Sequence, residues 1–227
     1  MKNRIKTLLF NLGIYDGARK VIKNVYYPYK YYRVKKSVKP ILKVLKEVFD
    51  RDCQDYWLDY GTLLGYVRNG QIIRNDIDLD FGVMVADGSS LQDVLKDYNI
   101  YLTQRTIVEG TITLEQYLYK DIGFDIFYYR KEGDKIVTNI WFPTEYTLPQ
   151  KVLYERGMGN LSETTFSMFE TEDIEFYSMK FRVPVDRDLY LKEHFGDDYI
   201  IPNSNWSYKD EKNRVDIKKE FEVEFYE

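Results

Sequence analysis

Three aspartates at a spacing of two constrain the fold of this chain more than any other feature of its sequence. Asp76, Asp78 and Asp80 alternate with apolar residues in the run NDIDLDFGV. A period of two is that of a β-strand, so the run predicts a strand with acids on one face and core residues on the other. Aligned like charges repel, and a divalent cation converts that repulsion into binding. The run therefore predicts a site for Mg²⁺ or Mn²⁺.

A second motif lies shortly before the acidic run. The apolar residues 56–58 lead into Gly61 and Thr62, and the apolar residues that follow have helical spacing. This order predicts a strand, a tight turn and a helix start, whose free backbone N–H groups bind anions. We therefore expect Gly61 and Thr62 to bind phosphate. A phosphate site beside a metal site is the arrangement used in phosphoryl and nucleotidyl transfer.

The acidic run also has non-catalytic interpretations. An EF-hand loop needs Gly at its sixth position, where this chain has Phe81. The residues between the aspartates of this chain are also strand formers, whereas those of an EF-hand loop are loop formers. A solvated acidic edge strand stays an alternative, since edge strands often carry charge. The close succession of the two motifs favours the catalytic interpretation.

Together the two motifs resemble the pattern of the LicD/fukutin family, in which a WL-x-x-GTLLG-x-x-R turn precedes an IPWD-x-D-x-D strand. The matching residues are Trp57, Leu58, Gly61, Thr62, Leu63, Leu64, Gly65, Arg68, Ile73, Asp76, Asp78 and Asp80. The resemblance implies an α/β (α+β) fold with a nucleotidyltransferase-like mixed sheet flanked by helices. It also implies transfer of a phospho-alcohol, such as phosphocholine or ribitol phosphate, from a CDP-linked donor to a glycan or lipid-linked glycan. Arg74 and Asn75 replace the family's Pro-Trp, so we expect a different wall of the donor pocket.

The resemblance also implies a third carboxylate. Asp125 lies in the apolar run GFDIFYY, where burying an acid is costly unless it is paired or liganded, and the family has a matching strand. The catalytic and metal-binding residues expected here are Asp78, Asp80 and Asp125, and the residues expected on the donor phosphates are Gly61, Thr62 and Arg68. A solvent-facing strand acid stays the alternative for Asp125. Asp76 is expected to orient the loop or to support the metal ligands. Arg74 is expected to reach a phosphate from the loop. Either Asp80 or Asp125 could be the general base, and the sequence leaves this choice open.

The charge is distributed unevenly. The net charge is −4, yet residues 1–51 contain fourteen basic and three acidic residues. We predict a basic, tyrosine-rich, helical N-terminal extension over residues 1–37 and a catalytic domain over residues 38–227. The extension suits an anionic membrane surface, whereas the acidic remainder would be repelled by nucleic acid. A solvated helix packed on the acidic body is the alternative.

Cysteine content and hydropathy predict the compartment. Cys53 is the single cysteine, which excludes an internal disulfide and a cysteine-based zinc site. No apolar run is long enough for a membrane span or a signal peptide. We expect a cytoplasmic protein, with peripheral contact to the inner face of the membrane through its basic extension.

The remaining pattern predicts the other elements. These are a helix from Val38 to near Asp52 with Pro40 in its first turn, a helix carrying residues 91–98, an antiparallel meander over residues 101–141, an irregular loop over 141–161, one strand over 174–184 and a helix over 186–195. The tail after residue 209 predicts no definite element. His194 is expected on the surface or at a helix end.

Two other functions are compatible with these residues. A nucleotidyltransferase would place NMP from an NTP on a small acceptor. A non-catalytic, membrane-docked partner in polysaccharide assembly would have the same surface without the reaction.

Overall fold

A computed structural model describes residues 12–13, 27–53, 55–73, 76–84, 90–120, 122–145, 148–203 and 206–226. Its helices are α1 (Tyr27–Asp52), α2 (Tyr60–Asn69), α3 (Gln92–Lys96), α4 (Gln150–Glu155) and α5 (Arg187–Phe195), with a 3-10 turn at Tyr208–Asp210. The strands are β1 (Tyr56–Leu58), β2 (Asp78–Met84), β3 (Ile100–Val108), β4 (Thr111–Tyr119), β5 (Ile122–Glu132), β6 (Lys135–Pro143), β7 (Gly159–Ser167), β8 (Thr171–Phe176), β9 (Met179–Pro184), β10 (Arg214–Asp216) and β11 (Phe221–Phe225). None of the described helices is both long and apolar enough to cross a lipid bilayer.

Strand β5 is the centre of the main sheet. Its first part lies between β4, which is antiparallel to it, and β2, which is parallel, and its last three residues pair with β6. The sheet continues from β6 through β7 to β10 and from β4 through β3 to β11, while β1 pairs with β2. The predicted mixed α/β fold is confirmed, and so is the antiparallel meander, which is formed by β3 to β6.

The alternation in β2 separates the core from the acidic face. Leu79 and Phe81 are fully buried, and the ring of Phe81 packs on Phe49 of α1 and Phe181 of β9, with centroids 5.1 and 6.2 Å apart. Asp78 and Asp80 are only partly buried. Asp78 and Asp80 therefore share the face opposite the core, as their spacing predicted, whereas Asp76, which was expected on the same strand, precedes β2.

The helix predicted from Val38 begins earlier. It starts at Tyr27, so Pro40 lies inside the helix on its exposed side, and the helix crosses the predicted boundary at residues 37 and 38. A proline inside a helix removes one hydrogen bond. The buried stripe that holds this helix on the sheet consists of Val34, Val38, Ile41, Leu42, Leu45, Val48 and Phe49. Packing of that stripe outweighs the local cost of Pro40.

Three other segments also differ from the prediction. The single strand expected over 174–184 is a hairpin of β8 and β9, because Tyr177 and Ser178 adopt positive φ values of 52° and 66° and reverse the chain. The irregular loop expected over 141–161 contains α4 and the start of β7, and the tail contains β10 and β11. The helix predicted over 186–195 is confirmed as α5. Arg74, Asn75 and most of the 1–37 extension lie outside the described residues.

Candidate active site

A cavity of about 600 Å³ opens beside the start of α2 and the acidic face of β2. One wall contains Gly61, Asp76, Asp78 and Asp80. A second wall comes mainly from the chain between residues 195 and 212, which contributes aromatic and charged side chains. The cavity therefore joins two parts of the sequence that lie more than a hundred residues apart.

Asp59 fixes the start of α2, and the sequence analysis missed it. Its carboxylate is fully buried and accepts hydrogen bonds from the Tyr60 backbone N–H (2.8 Å) and from the hydroxyls of Tyr129 (2.8 Å) and Tyr190 (2.7 Å). Its own N–H donates to the Asp80 carbonyl at 3.0 Å. Burial raises the pKa of Asp59 to about 6 although these hydrogen bonds oppose the shift. An aspartate directly before a helix start is the one sequence signal that could have identified this cap.

The first turn of α2 is bound directly to the acidic strand. The Asp80 N–H donates to Thr62 Oγ1 at 2.8 Å, and the Thr62 N–H donates to Asp80 Oδ2 at 3.3 Å. A Cβ placed on Gly61 would lie 3.0 Å from Asp76 Oδ2 and 3.1 Å from Asp80 Oδ2. The glycine therefore leaves the room that these two carboxylates occupy beside the helix N-terminus.

The carboxylates at this point repel one another. Burial and the neighbouring Asp78 raise the pKa of Asp76 to about 8. Burial, followed by the charges of Asp78, Asp76, Asp125 and Asp59, raises the pKa of Asp80 well above its ordinary value. Such crowding favours a cation, and carboxylate oxygens are the ligands that Mg²⁺ prefers.

The carboxylates are not positioned as a finished metal site. Among the described residues, no three His, Cys, Asp or Glu side chains are close enough together to bind one ion as they stand. The chemical type of the donors at the cavity nevertheless fits a hard divalent ion, because Asp76 joins the two aspartates of β2 there. The metal itself stays a prediction.

Two of the predicted site residues have other partners. Asp125 stands opposite Asp80 in the parallel pair of β2 and β5, but its Oδ2 accepts a hydrogen bond from Gln116 Nε2 at 2.7 Å, and it is not part of the cavity wall. Arg68 lines the cavity, and its guanidinium donates to the carbonyls of Tyr199 (2.9 Å) and Ile201 (3.2 Å). Arg68 thereby fastens the second wall to α2, and its phosphate contact stays a prediction.

His194 lies in the last turn of α5, as one of the two expectations for it stated, but the other expectation, that it lies on the surface, is wrong. The side chain is 1% exposed, because it continues the inward face of α5 with Tyr190 and Leu191 and packs edge-on against the ring of Tyr60, with centroids 4.6 Å apart. Its neighbour Glu211 is also buried and lies in the cavity wall. The helical spacing of residues 190, 191 and 194 was the sequence signal for this burial.

The fold and this site define a nucleotidyltransferase-type domain, in which aspartates on a sheet strand face a Gly-Thr helix start. Residues 54–186 match the family described as LicD/FKTN/FKRP, nucleotidyltransferase domain. The chain belongs to this family, and the resemblance seen in its sequence is confirmed.

Curated proteins with similar sequences include members of the same family. "Ribitol-5-phosphate transferase FKTN" of Homo sapiens is 26% identical over 180 residues, which cover 77% of this chain and 36% of the human protein. The protein of the same name from Macaca fascicularis is 27% identical over 180 residues, which again cover 77% of this chain and 36% of that protein. An uncharacterized protein of Rickettsia prowazekii is 32% identical over 137 residues, 59% of this chain and 48% of that protein. The chain thus spans between about a third and a half of these relatives' lengths.

Proposed function

We propose that this protein transfers a phospho-alcohol from a CDP-linked donor to a hydroxyl group of a glycan or lipid-linked glycan. The observation that carries the proposal is the convergence of Asp76 and Asp80 on Gly61, at the N-terminus of α2. The relatives named ribitol-5-phosphate transferase support a phospho-alcohol as the transferred group.

Each part of the wall has a role in this reaction. Asp78, Asp80 and Asp125, joined by Asp76, would hold a divalent ion that neutralises charge on the donor diphosphate. For this, Asp125 would have to exchange its hydrogen bond from Gln116 for the ion. The backbone at the start of α2 would receive its oxygens, since a helix N-terminus favours anions. Holding donor and acceptor in line supplies a large part of the rate enhancement.

The reaction is tested with a panel of CDP-linked alcohols and a glycan acceptor, with products identified by mass spectrometry. We expect CMP release that requires Mg²⁺ or Mn²⁺ and is abolished in Asp78→Ala and Asp80→Ala, while both variants keep the wild-type circular dichroism spectrum. We expect Asp76→Ala to reduce CMP release less than either of these two substitutions does. Turnover that persists in either of the first two variants contradicts the assignment of the site.

The same assay separates the alternative functions. A nucleotidyltransferase would release pyrophosphate from CTP or ATP instead of CMP from a CDP-alcohol. A non-catalytic partner would give no heat in calorimetric titrations with Mn²⁺ and CDP. The crowded carboxylates favour an active site over this last alternative, because they destabilise the fold unless a cation relieves them.

We further propose that α1 contacts an anionic membrane. Its exposed side carries basic and tyrosine residues, namely Tyr29, Tyr32, Arg33, Lys35, Lys36, Lys39 and Lys43. Basic side chains near an anionic lipid surface contribute about 1 kcal/mol each, and tyrosine suits the membrane interface. This surface is where a lipid-linked acceptor would be met.

The membrane proposal is tested by sedimentation with vesicles. Replacing Lys35, Lys36 and Lys39 by Gln is expected to weaken binding to phosphatidylglycerol-containing vesicles roughly a hundredfold, since three lysines contribute about 3 kcal/mol. A control variant makes the same charge change at the exposed Lys131, Lys135 and Lys180. Equal binding of both variants, or equal binding to neutral vesicles, contradicts the proposal.

A further inference from the structure

Four buried polar atoms without hydrogen bonds are grouped around His194 and Glu211, and two of their residues, Tyr60 and Glu211, also line the cavity. Within the described part of the chain, Tyr60 Oη, His194 Nε2, Glu211 Oε2 and Arg214 Nη1 have no hydrogen-bond partner. Glu211 Oε1 lies 3.8 Å from His194 Nε2, and Glu211 Oε2 lies 3.8 Å from Arg214 Nη1. Buried polar atoms in native proteins almost always have hydrogen bonds, whereas three of these four residues have polar contacts with one another only at 3.8 Å, so the group needs an explanation beyond packing.

The proton on the imidazole of His194 can be placed from its neighbour. The side-chain amide of Asn213 donates from Nδ2 to the Thr165 carbonyl at 2.8 Å, which fixes its orientation and leaves Oδ1 as an acceptor. His194 Nδ1 lies 2.9 Å from that Oδ1, so Nδ1 carries the hydrogen. Burial lowers the pKa of His194 to about 4. The ring is therefore neutral, and Nε2, which faces Glu211, carries a lone pair.

Glu211 is placed to take up a proton. Its side chain is 4% exposed, and the titratable or charged groups that face it are His194 from α5, Arg214 from β10 and Tyr60 from α2. Burial raises the pKa of Glu211 to about 8, against the opposing charge of Arg214. A protonated Glu211 would donate a hydrogen bond to His194 Nε2 after a small movement that closes the 3.8 Å between them. The two side chains can therefore share one proton.

The aspartates are less suited to this task. Asp80 is held by the first turn of α2, and Asp125 accepts from Gln116 and is not part of the cavity wall. Glu211 lies in the wall of the same cavity as Asp78 and Asp80, although it is more than a hundred residues from them in the sequence. The ion-binding face and the proton-accepting group are thus provided by different walls.

We infer that Glu211 is the catalytic base that removes the proton from the acceptor hydroxyl, with His194 as the residue that positions its carboxylate. This inference rests on the proposed transfer reaction. In the step, the hydroxyl O–H bond breaks and its proton passes to Glu211. The oxygen's electron pair forms the bond to the phosphorus that bears the alcohol. The bond from that phosphorus to CMP breaks, and CMP leaves with the electron pair.

The kinetic test compares the wild type with Glu211→Gln, Glu211→Asp and a control, Glu222→Gln, at an exposed position of β11. Because general bases contribute about a hundredfold or more, we expect Glu211→Gln to lower kcat by that factor while CDP affinity changes less than about threefold. Wild-type kcat should rise with pH as Glu211 ionises, and this limb should be absent in Glu211→Gln and kept, at reduced rate, in Glu211→Asp. Thermal unfolding checks that each variant is folded.

The outcomes distinguish this inference from the proposed function. A wild-type protein that releases no CMP from any donor overturns the transfer reaction, and the base assignment with it. Wild-type turnover together with an active Glu211→Gln variant, or with an unchanged pH limb in that variant, overturns only the role of Glu211. Loss of turnover in Glu222→Gln as well would show a general loss of structure and also overturn it.

A second readout does not depend on activity. His194 is the one histidine of the sequence, so ¹⁵N-histidine labelling gives a single pair of ring signals. We expect the neutral Nδ1–H tautomer from about pH 5 to 9, with a shift of Nε2 as Glu211 titrates that is absent in Glu211→Gln. An Nε2–H tautomer, or a ring that titrates at the ordinary value of 6.5, contradicts the arrangement.

Discussion

Gly61 is the residue whose smallest change reaches the acidic site directly. In Gly61→Ala, the new methyl group would lie 3.0 Å from Asp76 Oδ2 and 3.1 Å from Asp80 Oδ2, so both carboxylates must move by a few tenths of an ångström. Alanine is favoured over glycine inside a helix by roughly 0.5–1 kcal/mol, and the part of this preference that applies in the first turn of α2 offsets some of the contact cost. The free energy of unfolding should therefore stay within about 1 kcal/mol of the wild type.

Activity should respond far more than stability. Small displacements of positioned groups cost enzymes up to about a hundredfold in rate, so we expect CMP release and Mn²⁺ affinity to fall between about tenfold and a hundredfold. CMP release kinetics, calorimetric Mn²⁺ titration and urea unfolding measure the three quantities. Gly123→Ala is the matched control, because its Cβ would meet Asp78 Cβ at an ordinary 3.8 Å. Wild-type turnover in Gly61→Ala, or equal loss in Gly123→Ala, would refute the reasoning.

Three further changes test other parts of the structure. Asp80→Asn is expected to abolish turnover yet stabilise the metal-free protein by about 1 kcal/mol or more in urea unfolding, because it removes one of the crowded charges. The pKa of Asp76 is raised to about 8, so its contribution to metal-free stability is complete below its ordinary value of 3.8 and is lost as pH rises through 8. His194, whose pKa is lowered from 6.5, no longer changes the stability above pH 6.5. We therefore expect the free energy of unfolding in EDTA to fall between pH 6.5 and pH 8, and a rise in this range contradicts the raised pKa of Asp76. Gly82→Ala would place a Cβ 2.2 Å from Cε2 of the buried Trp57, so we expect a loss of about 3 kcal/mol or more in chemical denaturation; a melting temperature equal to the wild type would contradict that packing.

Local periodicity predicted the part of the site that lies on one strand. Asp78 and Asp80 share a face because a strand repeats every two residues, and Leu79 and Phe81 are buried for the same reason. The meander was also predictable, since runs of strand formers are separated by glycine-containing turns. The placement of Asp125 came from the family resemblance, because parallel pairing of β2 with β5 depends on contacts that no local pattern encodes.

The second wall of the cavity could not be predicted. Its position depends on distant contacts, such as those from Arg68 to the carbonyls of Tyr199 and Ile201. The burial of Glu211 likewise requires α5 and β10 to be in place, and its local sequence SYKDEKN is that of a solvated loop. The start of α1 was missed because Pro40 predicted a first turn, whereas the helix begins at Tyr27 and its buried stripe already includes Val34 and Val38.

The family match ends at residue 186, whereas the second wall of the cavity is formed mainly by residues 195–212. If residues 195–212 are exchanged between relatives with Glu211 kept, the strand that carries the aspartates is left untouched. Chimeras made in this way would test whether the second wall selects the acceptor of the proposed reaction.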